Sequence, residues 1–470
     1  MGAMTETKTA TTSDTLELIR RYDRPGPRYT SYPTAVEFHE GVDAAVYGEH
    51  LDRAAQKAEP LSLYFHLPFC SERCLYCGCN VVITRKSEVL RVYLEALRRE
   101  IAAVAERLGS RRRLRQYHWG GGTPTYLSPR EMAELHAVVR QHFDFEDGAE
   151  LAVEIDPRVT TVEHLQQLRE LGFNRLSMGV QDFTPEVQEI VHRVQPYEET
   201  RQLLQAARGL GFDSVNVDLI YGLPLQTLAS FSDTLDKVLE LRPERVAVYS
   251  YAHMPWLKVQ QRQIPEDTLP TPEVKLRLIT AALDQLRGGG YRAIGMDHFA
   301  LPTDEMGKAV EDGTLWRNFM GYTVRHAPDV VACGMSGIGD VGGAYFQNQR
   351  KLKRYEDAVA DPSTGGLAVE RGVVLSPEDQ LRRHVITALM CTFHLDLPEI
   401  GERFAIDPAA TFAAEWEALK GLEDDGLVRL RDQVVEVTPL GRIFVRNIAM
   451  VFDQYLKTPE AGDRRFSRTV

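Results

Sequence analysis

No run in the chain approaches the 18 or more consecutive apolar residues of a membrane-spanning helix, so no membrane partner is expected. Thr5 to Asp14 is polar and threonine-rich, without the apolar core of a signal peptide, and a cytoplasmic protein is expected. Positive charge is in deficit: 55 Lys and Arg stand against 67 Asp and Glu, a net charge of −12. That balance repels phosphate backbones and anionic lipid, so no nucleic-acid partner is expected. The one basic cluster, Arg111, Arg112, Arg113 and Arg115, is read as a solvated charge run at a helix end. Cysteine is scarce, six in 470 residues, which excludes a disulfide scaffold. Yet four of the six fall at 70, 74, 77 and 79, and in a reducing compartment that clustering points to metal or redox chemistry. The signature of disorder is absent too, since 43% hydrophobic and 26% charged residues describe a globular chain.

From residue 61 to about 295, short β-branched or aromatic runs alternate with longer helical patterns, the period of βα units. Strands are predicted at Leu61 to Leu67, Arg115 to Trp119, Glu150 to Ile155, Asn174 to Val180, Ser214 to Ile220, Arg245 to Tyr251 and Tyr291 to Ile294. Leu90, Leu94, Leu97, Ile101, Val104 and Leu108 recur at helical spacing and give one apolar stripe to lie on a sheet. Ser128 with Glu131, and Thr160 with Glu163, read as capping boxes, and Gly172 and Gly211 as helix ends. Right-handed crossovers between such units form a doubly wound sheet or a full or partial barrel. Outside the repeats, the prolines of Pro25 to Pro33 predict an extended arm. Residues 376–470 read as helix, helix, a hairpin over Gly426 to Val437 and a final helix through about Tyr455. This resembles a winged-helix order, and a metal-dependent DNA-binding regulator is the alternative of a different class; a packing cap on the main domain is favoured by the acidic balance. The division expected is 1–60 as N-terminal arm and helices, 61–375 as catalytic barrel, and 376–470 as a C-terminal helical, winged-helix-like cap.

Phe69-Cys70-Ser71-Glu72-Arg73-Cys74-Leu75-Tyr76-Cys77-Gly78-Cys79-Asn80 follows the first strand directly, at the end where α/β folds place their sites. Three thiolates at CxxxCxxC spacing can hold three irons of a [4Fe–4S] cluster and leave the fourth open to an exogenous chelate. Structural zinc is the alternative, but it pairs two such units far apart in sequence, and there is no distant second pair. Trp119-Gly120-Gly121-Gly122-Thr123-Pro124-Thr125 follows the second strand, where a triple glycine lets backbone approach a ligand that a Cβ would block. Glu154, Gln181 and Asp218 end the third, fourth and fifth strands, and Arg193 in a nearby helix could meet a carboxylate. His66, His118, His253 and His298 flank these strands and are read as hydrogen-bonded core residues, none as an acid or base. Cys333 and Cys391 read as small buried hydrophobes.

With an aromatic before its third cysteine, the CxxxCxxC loop is similar to that of radical S-adenosylmethionine (SAM) enzymes. More narrowly, Tyr64-Phe65-His66-Leu67-Pro68-Phe69-Cys70, the fourth cysteine in Cys77-Gly78-Cys79-Asn80, the arm Pro25 to Thr34 and Gly295-Met296-Asp297-His298-Phe299-Ala300 resemble the oxygen-independent coproporphyrinogen III oxidase family. The resemblance implies an α/β fold, a partial (β/α)6 TIM-like radical SAM barrel with an N-terminal arm and a mainly helical C-terminal domain. It implies Cys70, Cys74 and Cys77 as cluster ligands and a SAM on the open iron held by Tyr64, Gly121, Glu154 and Ile338. Tyr76, Gly122, Thr123, Gln181, Arg193, Asp218 and Ala252 match positions for a second SAM. Cleavage of SAM to a 5′-deoxyadenosyl radical would drive oxidative decarboxylation of two propionates of coproporphyrinogen III to vinyl groups, giving protoporphyrinogen IX without oxygen. An electron donor and a final acceptor are implied, and a monomer is expected. A related radical SAM methyltransferase, cyclopropanase or haem chaperone is the runner-up. Arg24, Arg28, Tyr29 and Tyr32 are expected to cover the open barrel and hold the substrate, because packing alone gives no account of them on an extended arm.

Overall fold

In the computed structural model, which describes residues 12–457 and 466–469, the alternating runs form one twelve-stranded sheet. The polar residues Thr5 to Thr11 lie outside the described residues. Six strands, β1 (Leu61–Leu67), β2 (Arg113–Gly121), β3 (Asp144–Ile155), β4 (Arg175–Gln181), β5 (Ser214–Tyr221) and β6 (Arg245–Ser250), pair in chain order and in parallel. β1 is buried at six of its seven positions, as a strand covered on both faces must be. The helix Ser87–Leu108 crosses from β1 to β2 and buries its predicted stripe of Leu90, Leu94, Leu97, Ile101, Val104 and Leu108. The sheet is an unclosed barrel: six βα units curve round a lumen, and both edges end on antiparallel strands. No helix among the described residues is long and apolar enough to cross a membrane.

The seventh predicted strand is no further βα unit. β7 (Arg292–Ile294) turns at Gly295, φ +54°, straight into β8 (His298–Ala300), and β8 pairs antiparallel with both β7 and β6. Three residues make a hairpin and are far too few for a crossover helix. At the other edge, β9 (Val330–Cys333) runs parallel to β1, followed by antiparallel β10 (Ile338–Val341), β11 (Ala344–Asn348) and β12 (Val369–Val374). These four strands were not predicted.

Local signals read unevenly. The Ser128–Glu131 capping box is present, and Gly172 and Gly211 close their helices at φ +92° and +80°. The second box is displaced by one residue: Thr161 caps the helix with His164, because the Thr160 hydroxyl is spent on the Asp156 carbonyl at 2.8 Å. The basic run is not solvated throughout, since Arg111 is buried on Asp329 at 2.6 Å. Cys333 and Cys391 are buried, as expected.

Beyond β12, helices Pro377–Thr392, Leu397–Phe404 and Ala413–Asp424 precede a hairpin of Val428–Arg431 and Val434–Val437. His394–Asp396 adds a third strand to that hairpin, and the last helix is short, Val445–Met450. The segment from Asp23 to Pro33 runs along this C-terminal part. Arg446 donates to the carbonyls of Gly26 and Pro27, Arg468 pairs with Asp23 at 2.5 Å, and Tyr29 donates to Asp453 at 2.9 Å. Tyr32, 2% exposed, accepts from the Gln454 N–H at 3.2 Å. Packing therefore accounts for Tyr29 and Tyr32, contrary to the expectation from sequence.

Candidate active site

The cysteine loop is anchored at both ends. Phe69–Cys70 pairs in parallel with Val82–Ile83, and the Val82 N–H donates to the Pro68 carbonyl at 2.7 Å. Leu75 packs with Val187, Val191, Leu223, Tyr251 and Ile264, with Tyr76 partly buried against them, so two apolar residues between the cysteines pin the loop to the barrel rim. Two glutamines after β6 clamp it from outside: Gln260 donates to the Cys77 carbonyl at 2.6 Å and Gln261 to the Tyr76 carbonyl at 2.9 Å.

The thiols differ in surroundings. Cys74 is buried, Cys70 and Cys77 half-buried, and Cys79 exposed. Burial pushes the Cys70 thiol up to about 11, whereas a hydrogen bond from Cys79 leads the causes that draw Cys77 down to about 6. Cys74 Sγ has two guanidiniums beside it, Arg158 at 3.4 Å and Arg193 at 3.6 Å. Both pair with Asp156, at 2.7 and 2.9 Å. Asp156 and Arg158 went unread in the sequence; their signal was a charged pair around Pro157 just past the end of β3.

The glycine loop serves the protein before any ligand. A Cβ on Gly122 would lie 2.6 Å from the Pro68 carbonyl carbon, and one on Gly121 2.7 Å from the His66 ring. Gly122 and Thr123 donate their N–H groups to the Leu67 and Phe69 carbonyls, each at 2.9 Å. The glycines thus bring the end of β2 against the root of the cysteine loop. Glu154 accepts from the Gly121 N–H at 3.1 Å and faces His118 Nε2 at 3.4 Å. Burial would raise this carboxyl, but the His118 contact and the Gly121 N–H outweigh it and hold it below its ordinary value. Tyr64 stacks on His118, ring centroids 5.8 Å apart, and bonds His66 at 3.1 Å, so it backs the glutamate's partner.

One cavity of about 290 Å³ brings together Cys70, Cys74, Cys77, Tyr76, Gly121, Gly122, Thr123, Glu154, Gln181, Arg193 and Asp218. Asp218 accepts from Ser177 at 3.0 Å and Asn216 at 2.8 Å, and burial, with Glu154 nearby, pushes it up to about 6. The adjoining cavity, about 480 Å³, shares Tyr76, Cys77, Gln181 and Asp218 and adds Arg28, Ala252 and Phe466. Five predicted residues line neither cavity: Tyr64 lies against His118, Ile338 opens β10 and lines a different cavity with Tyr29 and Tyr32, and Arg24 is exposed. Among the described residues no three His, Cys, Asp or Glu side chains gather to hold a single metal ion. A cubane asks for something else, three thiols each free to take its own iron about a shared space, and Cys70, Cys74 and Cys77 line one. Arg193 adds a buried Nε with no partner, a donor awaiting an acceptor.

Residues 64–238 match the model of the radical SAM superfamily, and 375–444 that of the HemN C-terminal domain. A curated relative from Pseudomonas aeruginosa, an oxygen-independent coproporphyrinogen III oxidase, is 46% identical over 456 residues, 97% of this chain and 98% of that protein. Its counterpart from Escherichia coli is 44% identical over 97% of this chain and 98% of its own length. The solved structure of coproporphyrinogen III oxidase (HemN) from Escherichia coli, described as a radical SAM enzyme, matches with a TM-score of 0.88 over 94% of this chain and 98% of that one. The radical SAM superfamily carries a [4Fe–4S] cluster and SAM. With identity and fold both running nearly end to end, the chain belongs to the oxygen-independent coproporphyrinogen III oxidase family of radical SAM enzymes.

Proposed function

We propose that the chain decarboxylates two propionates of coproporphyrinogen III to vinyl groups, giving protoporphyrinogen IX without oxygen in haem biosynthesis. The observation that carries this reading is the pair of adjoining cavities. The cysteines, the glycine loop and four strand-end or rim groups surround one, and it opens at Tyr76, Gln181 and Asp218 into a larger one lined by Arg28.

When bound, the cluster and SAM supply a 5′-deoxyadenosyl radical. Each propionate then loses a hydrogen atom from its β-carbon, carbon dioxide and one electron, and a carbon–carbon double bond remains. Cys70, Cys74 and Cys77 would hold three irons, with Arg158 and Arg193 offsetting thiolate charge at Cys74. The first SAM would meet Gly121 and Glu154, with Tyr64 behind His118 and Ile338 more remote. A second SAM would draw on Tyr76, Gly122, Thr123, Gln181, Arg193, Asp218 and Ala252; the unpartnered Arg193 Nε suits a carboxylate. Residues 61–375 would form the catalytic barrel, 1–60 its arm and 376–470 its cap, working as a monomer with an electron donor and an acceptor. The test is anaerobic: reconstituted protein, SAM, reductant and coproporphyrinogen III should yield vinyl product and carbon dioxide. Cleavage of SAM with all four propionates intact would overturn the reading.

A further inference from the structure

A third cavity, about 280 Å³, lies between the β6 edge of the barrel, the helix Pro272–Gly288 and the C-terminal part. Its walls are largely apolar, with Val248, Ile279, Leu283, Leu440 and Ile443 among them. Its charge is not that of the rest of the molecule. Arg28, Arg287, Arg442 and Arg446 line it against Asp284 and Asp297, in a chain whose net charge is −12. Asp297 is already engaged by His298 at 2.6 Å and has Arg317 at 3.8 Å.

Among the described residues none of the four arginines is paired with a carboxylate. Arg446 is buried and among the described residues donates only to backbone carbonyls, and burial with the Arg28 charge draws it down to about 9. Among the described residues Arg28 makes a single side-chain hydrogen bond, to the Ser250 carbonyl at 2.7 Å. Arg442 lies 4.4 Å over the Phe393 ring, with its buried Nε unpartnered. Arg287 stands exposed at the mouth. Four guanidiniums against two carboxylates leave an excess of positive charge in a largely apolar cavity, which is costly, and an anionic ligand relieves that cost. Apolar walls with convergent guanidiniums suit a molecule that is apolar in its body and carboxylate at its ends.

The cavity also touches the reaction site, because Arg28 and Ser250 line both it and the larger cavity beside the cysteine loop. The tetrapyrrole carries four propionates, of which two react and two stay anionic from substrate to product. We propose that this cavity is a carboxylate-binding annex that takes the unreacting propionates and holds them on Arg28, Arg287 and Arg442, an inference that rests on the decarboxylation reading above.

The test uses the reconstituted holoenzyme and coproporphyrin III, the oxidised and unreactive form, with its tetramethyl ester as the uncharged counterpart. The wild type should bind the acid and not the ester. Leu440→Trp, which fills the cavity, and the pair Arg287→Ala with Arg442→Ala should each weaken porphyrin binding at least tenfold and raise KM, with bound SAM and iron–sulfur absorbance unchanged. Arg287→Glu, at an exposed position where folding is not at stake, should do the same. A wild type that neither binds the porphyrin nor forms vinyl product contradicts the decarboxylation reading itself. A wild type that does both, with Arg287→Glu and Leu440→Trp binding as tightly, overturns the annex and leaves that reading standing.

Discussion

Glu154, one residue before the end of β3, and Asp218, which lies inside β5 three residues before its end and not at the strand end expected from sequence, contrast with Glu100, on the helix Ser87–Leu108, and Asp329, just before β9: four carboxylates against one sheet under opposite conditions. Glu100 is 0% exposed and closed on three donors, the Gly334 N–H at 2.7 Å, Asn348 at 2.5 Å and the Tyr355 hydroxyl at 2.7 Å. Asp329 is closed on Arg111, Lys57 and the Gly342 N–H, at 2.6, 3.0 and 2.7 Å. Glu154 and Asp218 have two partners each, and both line the cavity of the cysteine loop. A saturated carboxylate ties elements together, whereas one with spare acceptor capacity facing open space can meet a ligand.

The largest effect that would break this contrast comes from the cysteine loop. Cys70→Ser, Cys74→Ser and Cys77→Ser should each abolish iron–sulfur absorbance and turnover, and Cys79→Ser should keep the absorbance. Cluster loss in Cys79→Ser with retention in Cys70→Ser would reverse the ligand assignment.

Next comes Asp218→Ala, which should lower bound SAM from two per chain to one by equilibrium dialysis and slow decarboxylation, with the cluster spectrum intact. In the wild type the second SAM should weaken as pH falls through about 6, where Asp218 gains its proton and loses an acceptor. Asp218→Asn should lack that dependence.

Gly122→Ala should cost ~1–3 kcal/mol in denaturant titrations, because its Cβ meets the Pro68 backbone, which cannot yield. Gly209→Ala, in a helix with nothing within 4 Å of the new Cβ, should instead be neutral or stabilising.

Glu100→Gln should cost ~1–3 kcal/mol, since its amide turns an NH2 towards one of three donors, while the SAM count of the folded protein stays unchanged. The pH signature sharpens the assignment. Burial raises the Glu100 carboxyl from 4.5 to about 7 in the folded state, so folding takes up a proton between those values. Stability should therefore fall as pH rises from 4.5 to about 7 and level off above, and Glu100→Gln should remove that slope.

Smallest is Tyr29→Phe, which removes the hydrogen bond to Asp453 and should cost about 1 kcal/mol in thermal melts, with SAM binding untouched.

The same contrast explains what the sequence made legible. β1 is expected at Leu61 to Leu67 and is found there, because a buried parallel strand reads as a mostly apolar run, here interrupted by Ser62 and His66, between the breakers Pro60 and Pro68. β9 to β12 escaped because their signal is non-local: β9 joins β1 by pairing Val330 with Ser62, and β10 and β11 meet at a turn over Gly342 and Gly343. In the site, cysteines, glycines and strand-end polar groups announce themselves by type and spacing. His118, Asp156, Arg158, Gln260 and Gln261 act by hydrogen bonding to those residues, and only folded distances reveal it. From sequence the glycines suggest room for a ligand, yet at Gly121 and Gly122 a Cβ meets protein first.

The most direct measurement of the central claim counts products under anaerobic turnover of coproporphyrinogen III. Two 5′-deoxyadenosines and two carbon dioxides should form per protoporphyrinogen IX, and Arg193→Ala and Asp218→Ala should lower all three together. 5′-Deoxyadenosine released with no carbon dioxide, or a methylated tetrapyrrole in place of a vinyl one, would contradict it.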